Sequence, residues 1–376
     1  MFPTARVAPL LALPPTRSIA TRPALADVAK TFAGVAVAGL AFAIVCKVVE
    51  RLALGGGDWS VASLLPAFDQ WLGIAALATG LAVEACVVGW RGSSIRSLFV
   101  ERLPSALSDL AYLVLFLVGG TPALMVIVAL GLIGWSERWA DSVVGLLPLR
   151  EVSLWVEVPL LWFYMGFVGY WEHRLRHTRW FWPLHRSHHS PRELTLVNGW
   201  RSHPWEFALG AVVNVVALAT PGFSSDALVL FGFYAAFQPL FLHSRMVRFA
   251  WLERLGICTP AGHRLHHGLG AQYHDRNFGE VTNLWDRLFG TYLAPGADVA
   301  SVEIGVEAPA DHHNTMHPFR EIALQTVDWL QTVRDEVANL LPRSFHRAPR
   351  TPREMREPTG GVAAAGRERV ISDVAL

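Results

Sequence analysis

Long apolar runs alternate with short polar stretches along most of this chain. Residues 31–49, 71–90, 108–135 and 153–170 are almost wholly apolar. Each run is near or above the roughly 20 residues that cross a hydrocarbon core as a helix. The third is interrupted by Gly119, Gly120, Thr121 and Pro122. A further apolar region, 207–242, is split by Pro221, Gly222, Ser224, Ser225 and Asp226, which predicts a helical hairpin that dips into the membrane and returns. Each arm is short for a full span, so a shallow re-entrant pair is the other form it can take. Residues 321–341 differ. There Ile322, Val327, Leu330, Val333, Val337 and Leu340 recur at helical spacing, which predicts an amphipathic helix packed on the rest of the chain or lying on the bilayer surface. The pattern as a whole predicts an all-α fold, an integral-membrane helical bundle.

Polar stretches set the domain limits and the orientation. Residues 1–27 read as a disordered basic leader, 28–152 as N-terminal transmembrane helices and 153–295 as the part carrying the chemistry. Residues 296–341 form a C-terminal segment with the amphipathic helix, and 342–376 a disordered basic tail rich in Arg and Pro. Arg6, Arg17, Arg22 and Lys30 precede the first run; Arg91, Arg96 and Arg102 follow the second; Arg174, Arg176, Arg179 and Arg186 follow the fourth. Loops 50–70 and 136–152 are poorer in Lys and Arg. The positive-inside rule then predicts a multi-pass protein with both termini on the cytoplasmic side. Glu84 and Glu157 lie inside apolar runs, where a carboxylate must find a partner; internal pairing is the expectation for Glu84.

Composition agrees with a membrane protein. Only 17% of the 376 residues are charged and 52% are hydrophobic, where a soluble chain carries about 25% charged residues. A net charge of +1 gives no support to a nucleic-acid partner. Cys46, Cys86 and Cys258 are scattered and apolar-flanked, which excludes a disulfide framework and a thiolate metal site.

Against this background the histidines stand out. His173 and His177 are four apart; His185, His188 and His189 form H-x-x-H-H; His263, His266 and His267 repeat it; His243 stands at the foot of the hairpin. Spacings of three and four place side chains on one helical face, and imidazoles fixed on a rigid backbone suit a transition metal such as Fe, Cu, Zn or Ni. Eight or nine imidazoles exceed the needs of one ion, and two metals fit the count. The boxes all fall on the cytoplasmic side in this topology, as a cap on the bundle. Ligands next to apolar helices suggest oxidation of a lipid chain. A membrane metal-binding or metal-transport protein using the same clusters is the alternative; transport sites, however, lie near the bilayer midplane. Asn198, Arg201, His203 and Glu206 form a polar cluster before the hairpin. His203 and Glu206, with Asp275 and Asn277, are candidates for supporting the ligands or facing substrate. His274, His312, His313, His317 and His346 read as surface residues.

The motifs H-R-x-x-H (173–177), W-x-x-H-x-x-H-H-S (182–190), T-P-x-x-H-R-x-H-H-G (259–268), D-x-N-F-G (275–279) and W-D-R-L-F-G-T-Y (285–292) resemble those of the fatty acid hydroxylase/sterol desaturase superfamily. The resemblance covers about 154–293. It implies a non-haem di-iron oxygenase, with two iron ions held by the boxed histidines, that hydroxylates or desaturates a sterol, fatty acyl or alkyl chain. It also implies O2, a membrane lipid substrate, and a separate electron donor of reductase, cytochrome b5 or ferredoxin type. Gly166 stands where members often carry an Asp seven residues before the first box, and Val247 where some supply a second hairpin histidine.

Overall fold

A computed structural model describes residues 24–54, 71–129, 131–143, 149–307 and 313–340. Among these residues every named element is a helix, and only two isolated β-bridges occur, Ile257 with Thr282 and Gly268 with Ile304. The α-helices in order are α1 (Leu25–Leu54), α2 (Trp71–Val88), α3 (Pro104–Leu117), α4 (Gly120–Val128), α5 (Leu132–Val143) and α6 (Leu154–Arg176). They continue with α7 (Trp182–His189), α8 (Pro204–Ala219), α9 (Ser225–His243), α10 (Pro260–His266), α11 (Leu284–Phe289) and α12 (Pro318–Leu340). The chain divides into two compact units, Met1–Val333 and Arg334–Leu376, and the first contains every box histidine. Most of the leader and the whole basic tail lie outside the described residues, as does most of loop 50–70.

Among the described residues two helices, Leu25–Val49 within α1 and Ser225–His243, are long and apolar enough to cross a membrane. Only 17% and 22% of their apolar windows are buried, so most of their surface is left for lipid. The expected third span, 108–135, is not one helix: α3 and α4 meet at 76° across Gly119, whose φ of 82° is the left-handed conformation that glycine permits. That pair is a broken span or a re-entrant loop. The second expected span, α2, is a shorter apolar helix. The fourth runs on as α6 beyond the apolar run to carry Glu172, His173, Arg174 and Arg176, a composition that suits an interface more than a bilayer core. The hairpin is present as α8 and α9.

Both carboxylates in apolar runs are paired, since an unpartnered charge there would be costly. Glu84, fully buried, accepts from Ser94 N at 2.6 Å, Ser94 Oγ at 3.0 Å and Arg245 N at 2.8 Å, which ties α2 to the end of α9. Glu157 accepts from Ser224 N and Oγ at the start of α9. The amphipathic helix takes the packed alternative. Ile322 joins Val35, Tyr112 and Leu115 in a core cluster, Gln325 Nε2 donates to Ser187 Oγ of α7 at 3.2 Å, and Trp329 Nε1 donates to Trp180 O at 2.9 Å. Arg201, wholly buried, binds Asp109 Oδ1 of α3 at 3.0 Å and Glu321 Oε2 of α12 at 3.3 Å. These contacts hold the box helices from behind.

Candidate metal centre

The box helices are short and must be started locally. Pro stands in the first turn of α7, α8 and α10, where its missing N–H costs nothing and its fixed φ suits a helix. Thr259 caps α10 through Gly262 N, and Glu253 Oε1 in turn accepts from Thr259 N at 3.0 Å and Oγ1 at 2.8 Å. His203 and Glu206 form a reciprocal capping box on α8.

All nine histidines singled out in the sequence converge, and they divide into two groups. His173, His177, His185, His189 and His266 form one; His188, His243, His263 and His267 form the other. Within each group one ring nitrogen per residue lies within 4.8 Å of every other. Helix geometry explains the division. At about 100° per residue, positions i and i+4 nearly eclipse, whereas i+3 points well away from i+4. Thus His185 and His189 enter the first group while His188 between them turns to the second; His263 and His267 enter the second while His266 turns to the first. Each H-x-x-H-H box therefore contributes to both groups.

Ring-nitrogen separations match those around a metal ion. Nε2 of His185 lies 3.2 Å from Nε2 of His173 and 3.1 Å from Nε2 of His189. In the second group the Nε2 separations are 3.1 Å for His188 and His243, 3.0 Å for His243 and His263, and 3.1 Å for His263 and His267. Nitrogens at about 2.1 Å from one ion are about 3.0–3.4 Å apart when adjacent in octahedral or tetrahedral geometry. His177 Nε2 and His266 Nε2 are buried without a hydrogen-bond partner, as expected of atoms facing an ion. The groups adjoin: the rings of His189 and His267 stack with centroids 4.3 Å apart. Burial pushes the imidazoles of His173, His177, His185, His188, His189, His263 and His267 well below the ordinary histidine range, and His266 down to about 4. Neutral rings keep their lone pairs for a metal. The donor set and geometry fit two metal ions.

The opposite ring nitrogens orient several of the rings. His173 Nδ1 donates to Phe278 O at 2.8 Å, His188 Nδ1 to Arg201 O at 3.2 Å, His243 Nδ1 to Pro239 O at 2.7 Å and His266 Nδ1 to Arg276 O at 2.7 Å. His185 Nδ1 donates to Glu206, whose carboxyl burial pushes up to about 7 against the pull of the Arg176 charge. Each such bond fixes the tautomer that would present Nε2 to an ion.

Of the four supporting candidates, only Glu206 makes a hydrogen bond to a box imidazole among the described residues. Asp275 Oδ1 is 3.8 Å from His177 Nδ1 and largely exposed. Asn277, with φ of 53°, holds backbone: its Nδ2 donates to Gly262 O and Leu293 O, at 3.0 and 2.9 Å. His203 faces away from the groups, accepting from Trp205 N and pairing its Nε2 with Thr326 Oγ1 at 2.9 Å. His313, read from the sequence as a surface residue, is buried beside Gln325. Its environment comes from α12, which local sequence cannot show. Sequence reasoning misses Glu280: its Oε1 lies 3.4 Å from His173 Nδ1, and its only signal is adjacency to the D-x-N-F-G motif. At Gly166 a Cβ would come within 3.0 Å of Thr282 Cγ2, so that position packs α6 against the motif loop.

Among the described residues, three cavities reach the histidines or adjoin that space. One of 530 Å³ meets the first group at His177, His189 and His266, with Arg179, His274 and Asp275 at its rim. A second, of 340 Å³, touches both groups through His185, His188, His243 and His263 and extends between α8 and α9 along Phe207, Ala211 and Leu242. A third, of 190 Å³, lies between α6, α8 and α9 and is walled by Met165, Val168, Val213 and Phe231. The second and third share Arg176, Gly210, Asn214, Pro239 and Glu280.

Residues 158–291 match the family Fatty acid hydroxylase. Similar proteins include the alkylglycerol monooxygenase of Homo sapiens, 28% identical over 178 residues, which are 46% of this chain and 38% of that protein. The alkylglycerol monooxygenase of Danio rerio is 32% identical over 136 residues, 36% of this chain and 29% of its own length. Ornithine lipid hydroxylase OlsE of Rhizobium tropici is 29% identical over 175 residues, 46% of this chain and 48% of its own. The chain thus spans less than half the length of these curated relatives. No solved structure matches it. The histidine boxes, their geometry and these matches together support placing residues 158–291 with the fatty acid hydroxylase superfamily.

Proposed function

We propose that this chain is a membrane-bound, iron-dependent oxygenase that hydroxylates a lipid. The observation that carries the reading is the pair of histidine groups at the inner end of a cavity that runs between apolar helices. His173, His177, His185, His189 and His266 would hold one iron, and His188, His243, His263 and His267 the second. When bound, the iron pair supplies the oxidising power to place one atom of O2 in a lipid C–H bond, the other leaving as water with two external electrons and two protons. The chain's own residues do the rest. Glu206 and the carbonyls of Arg201, Pro239, Arg276 and Phe278 keep the imidazoles oriented. The apolar walls of the third cavity exclude water and hold an alkyl chain in line with the histidines.

The names of the relatives, a monooxygenase and a hydroxylase, favour hydroxylation over desaturation. Metal transport is disfavoured by the position of the ligands, most of them on short helices at the ends of the apolar runs. A separate protein supplies the electrons, and the 530 Å³ cavity beside the first group is the open approach on the side with Arg179 and Arg186. With the histidines on the cytoplasmic side, that donor is cytoplasmic or membrane-bound. The test is incubation of membranes containing this chain with isotopic O2 and a reductant, followed by mass spectrometry of the lipids. Labelled oxygen in a lipid hydroxyl is the expected result. A new double bond without label would replace hydroxylation by desaturation, and oxygen-independent turnover would end the oxygenase reading.

A further inference from the structure

Asn214 is a polar residue in the middle of a helix that is otherwise apolar from Phe207 to Ala219. Such a residue in an apolar helix either pairs internally or faces a cavity. Among the described residues its carboxamide has no hydrogen-bond partner, and its side chain is exposed where the second and third cavities meet. Gly210, one turn earlier on the same face, brings α8 close to α6: a Cβ there would lie 3.4 Å from Arg176 Nη2. Arg176 in turn gives its Nε to Glu172 Oε1 at 2.7 Å. Asn214 and the Arg176–Glu172 pair thus form a polar collar. On one side lie the apolar walls of Met165, Val168, Val213 and Phe231; on the other lie His185, His188, His243 and His263.

A bare hydrocarbon drawn through this collar would leave the Asn214 carboxamide facing it unpaired, which costs binding free energy. A chain carrying an acceptor oxygen at that depth would satisfy it. We infer that Asn214, supported by Arg176, is a specificity-determining residue that hydrogen-bonds an uncharged oxygen in the linkage between the lipid's alkyl chain and its head. The collar adjoins the histidines, so that oxygen comes to rest within a few carbons of the position oxidised. The inference rests on the reading of the chain as a lipid hydroxylase and names the substrate feature that the site reads.

The test uses the full chain in detergent micelles and three probes: hexadecyl glyceryl ether, the hexadecanoyl glycerol ester, and the diol with methylene in place of the linking oxygen. Equilibrium binding is measured for the parent protein, Asn214→Leu and Asn214→Gln, with bound iron and helical content as controls. The parent should prefer an oxygen-linked probe to the methylene diol by about tenfold, the size of one net hydrogen bond. Asn214→Leu should lose that preference, Asn214→Gln should keep part of it, and iron content should not change in either. A parent without preference, or an Asn214→Leu protein that retains it, overturns the inference. Gly169 lines the third cavity with open space around its Cβ position. Gly169→Phe should therefore weaken all three probes alike, and unchanged binding there would remove the cavity as the chain's seat and the inference with it. Intact preference with no hydroxylation of any bound probe would end the oxygenase reading alone.

Discussion

Within each H-x-x-H-H box the side chain three residues on leaves the face shared by the other two, and this one angular fact turns two short helices into bridges between the two histidine groups. The ligand candidates were legible as residues, because histidines at spacings of three and four have few other uses in an apolar chain. Their partition was not, since it depends on how α7 and α10 face each other. Nor was the position of Glu280, or the burial of His313, which depends on Gln325 of α12, twelve residues away. Replacing His188 or His266 by Ala should abolish turnover and lower bound metal, since each box serves both groups; iron retained in both variants would refute the ligand assignment. Glu206→Leu tests the supporting bond to His185. Loss of such a partner typically weakens metal affinity about 10–100-fold, and a chelator titration against the parent reads it directly. An unchanged titration would mean that His185 needs no help from Glu206.

The elements themselves were readable where a local signal starts or stops them. Pro204, Pro260 and Thr259 start helices in the structure, and they are residue types favoured at such positions. The hairpin break at Pro221 and Gly222 separates α8 from α9. The fold departs from the sequence pattern where an apolar run is interrupted without a charged residue: Gly119 reads as a flaw in a span and is a 76° bend. Hydropathy reports how apolar a segment is, and says little about its direction. Because α10 has only seven residues, its cap matters more than in a long helix. Thr259→Ala should cost about 1–2 kcal/mol and release iron at lower denaturant than the parent. Coincident loss of iron and of structure at the parent's midpoint would show that the cap contributes nothing to the second box.

For the whole molecule, burial behind the histidines is as informative as the histidines themselves. Arg201, Asp109 and Glu321 are fully buried and join α3 and α12 to the backbone that accepts from His188. Arg201→Met would strand two carboxylates, and breaking such a cluster costs about 3–5 kcal/mol. The expected result is a large fall in thermal midpoint, with little change in a Met316→Leu control. The topology inferred from Arg and Lys places a reporter fused after Leu376 in the cytoplasm and one within loop 50–70 on the other side; the reverse pattern would break the charge argument. The central claim is that two histidine groups hold two ions in one chain. Elemental analysis of purified protein, scaled to polypeptide, tests it most directly. Close to two irons per chain are expected. One iron or none in folded, active protein would contradict the claim.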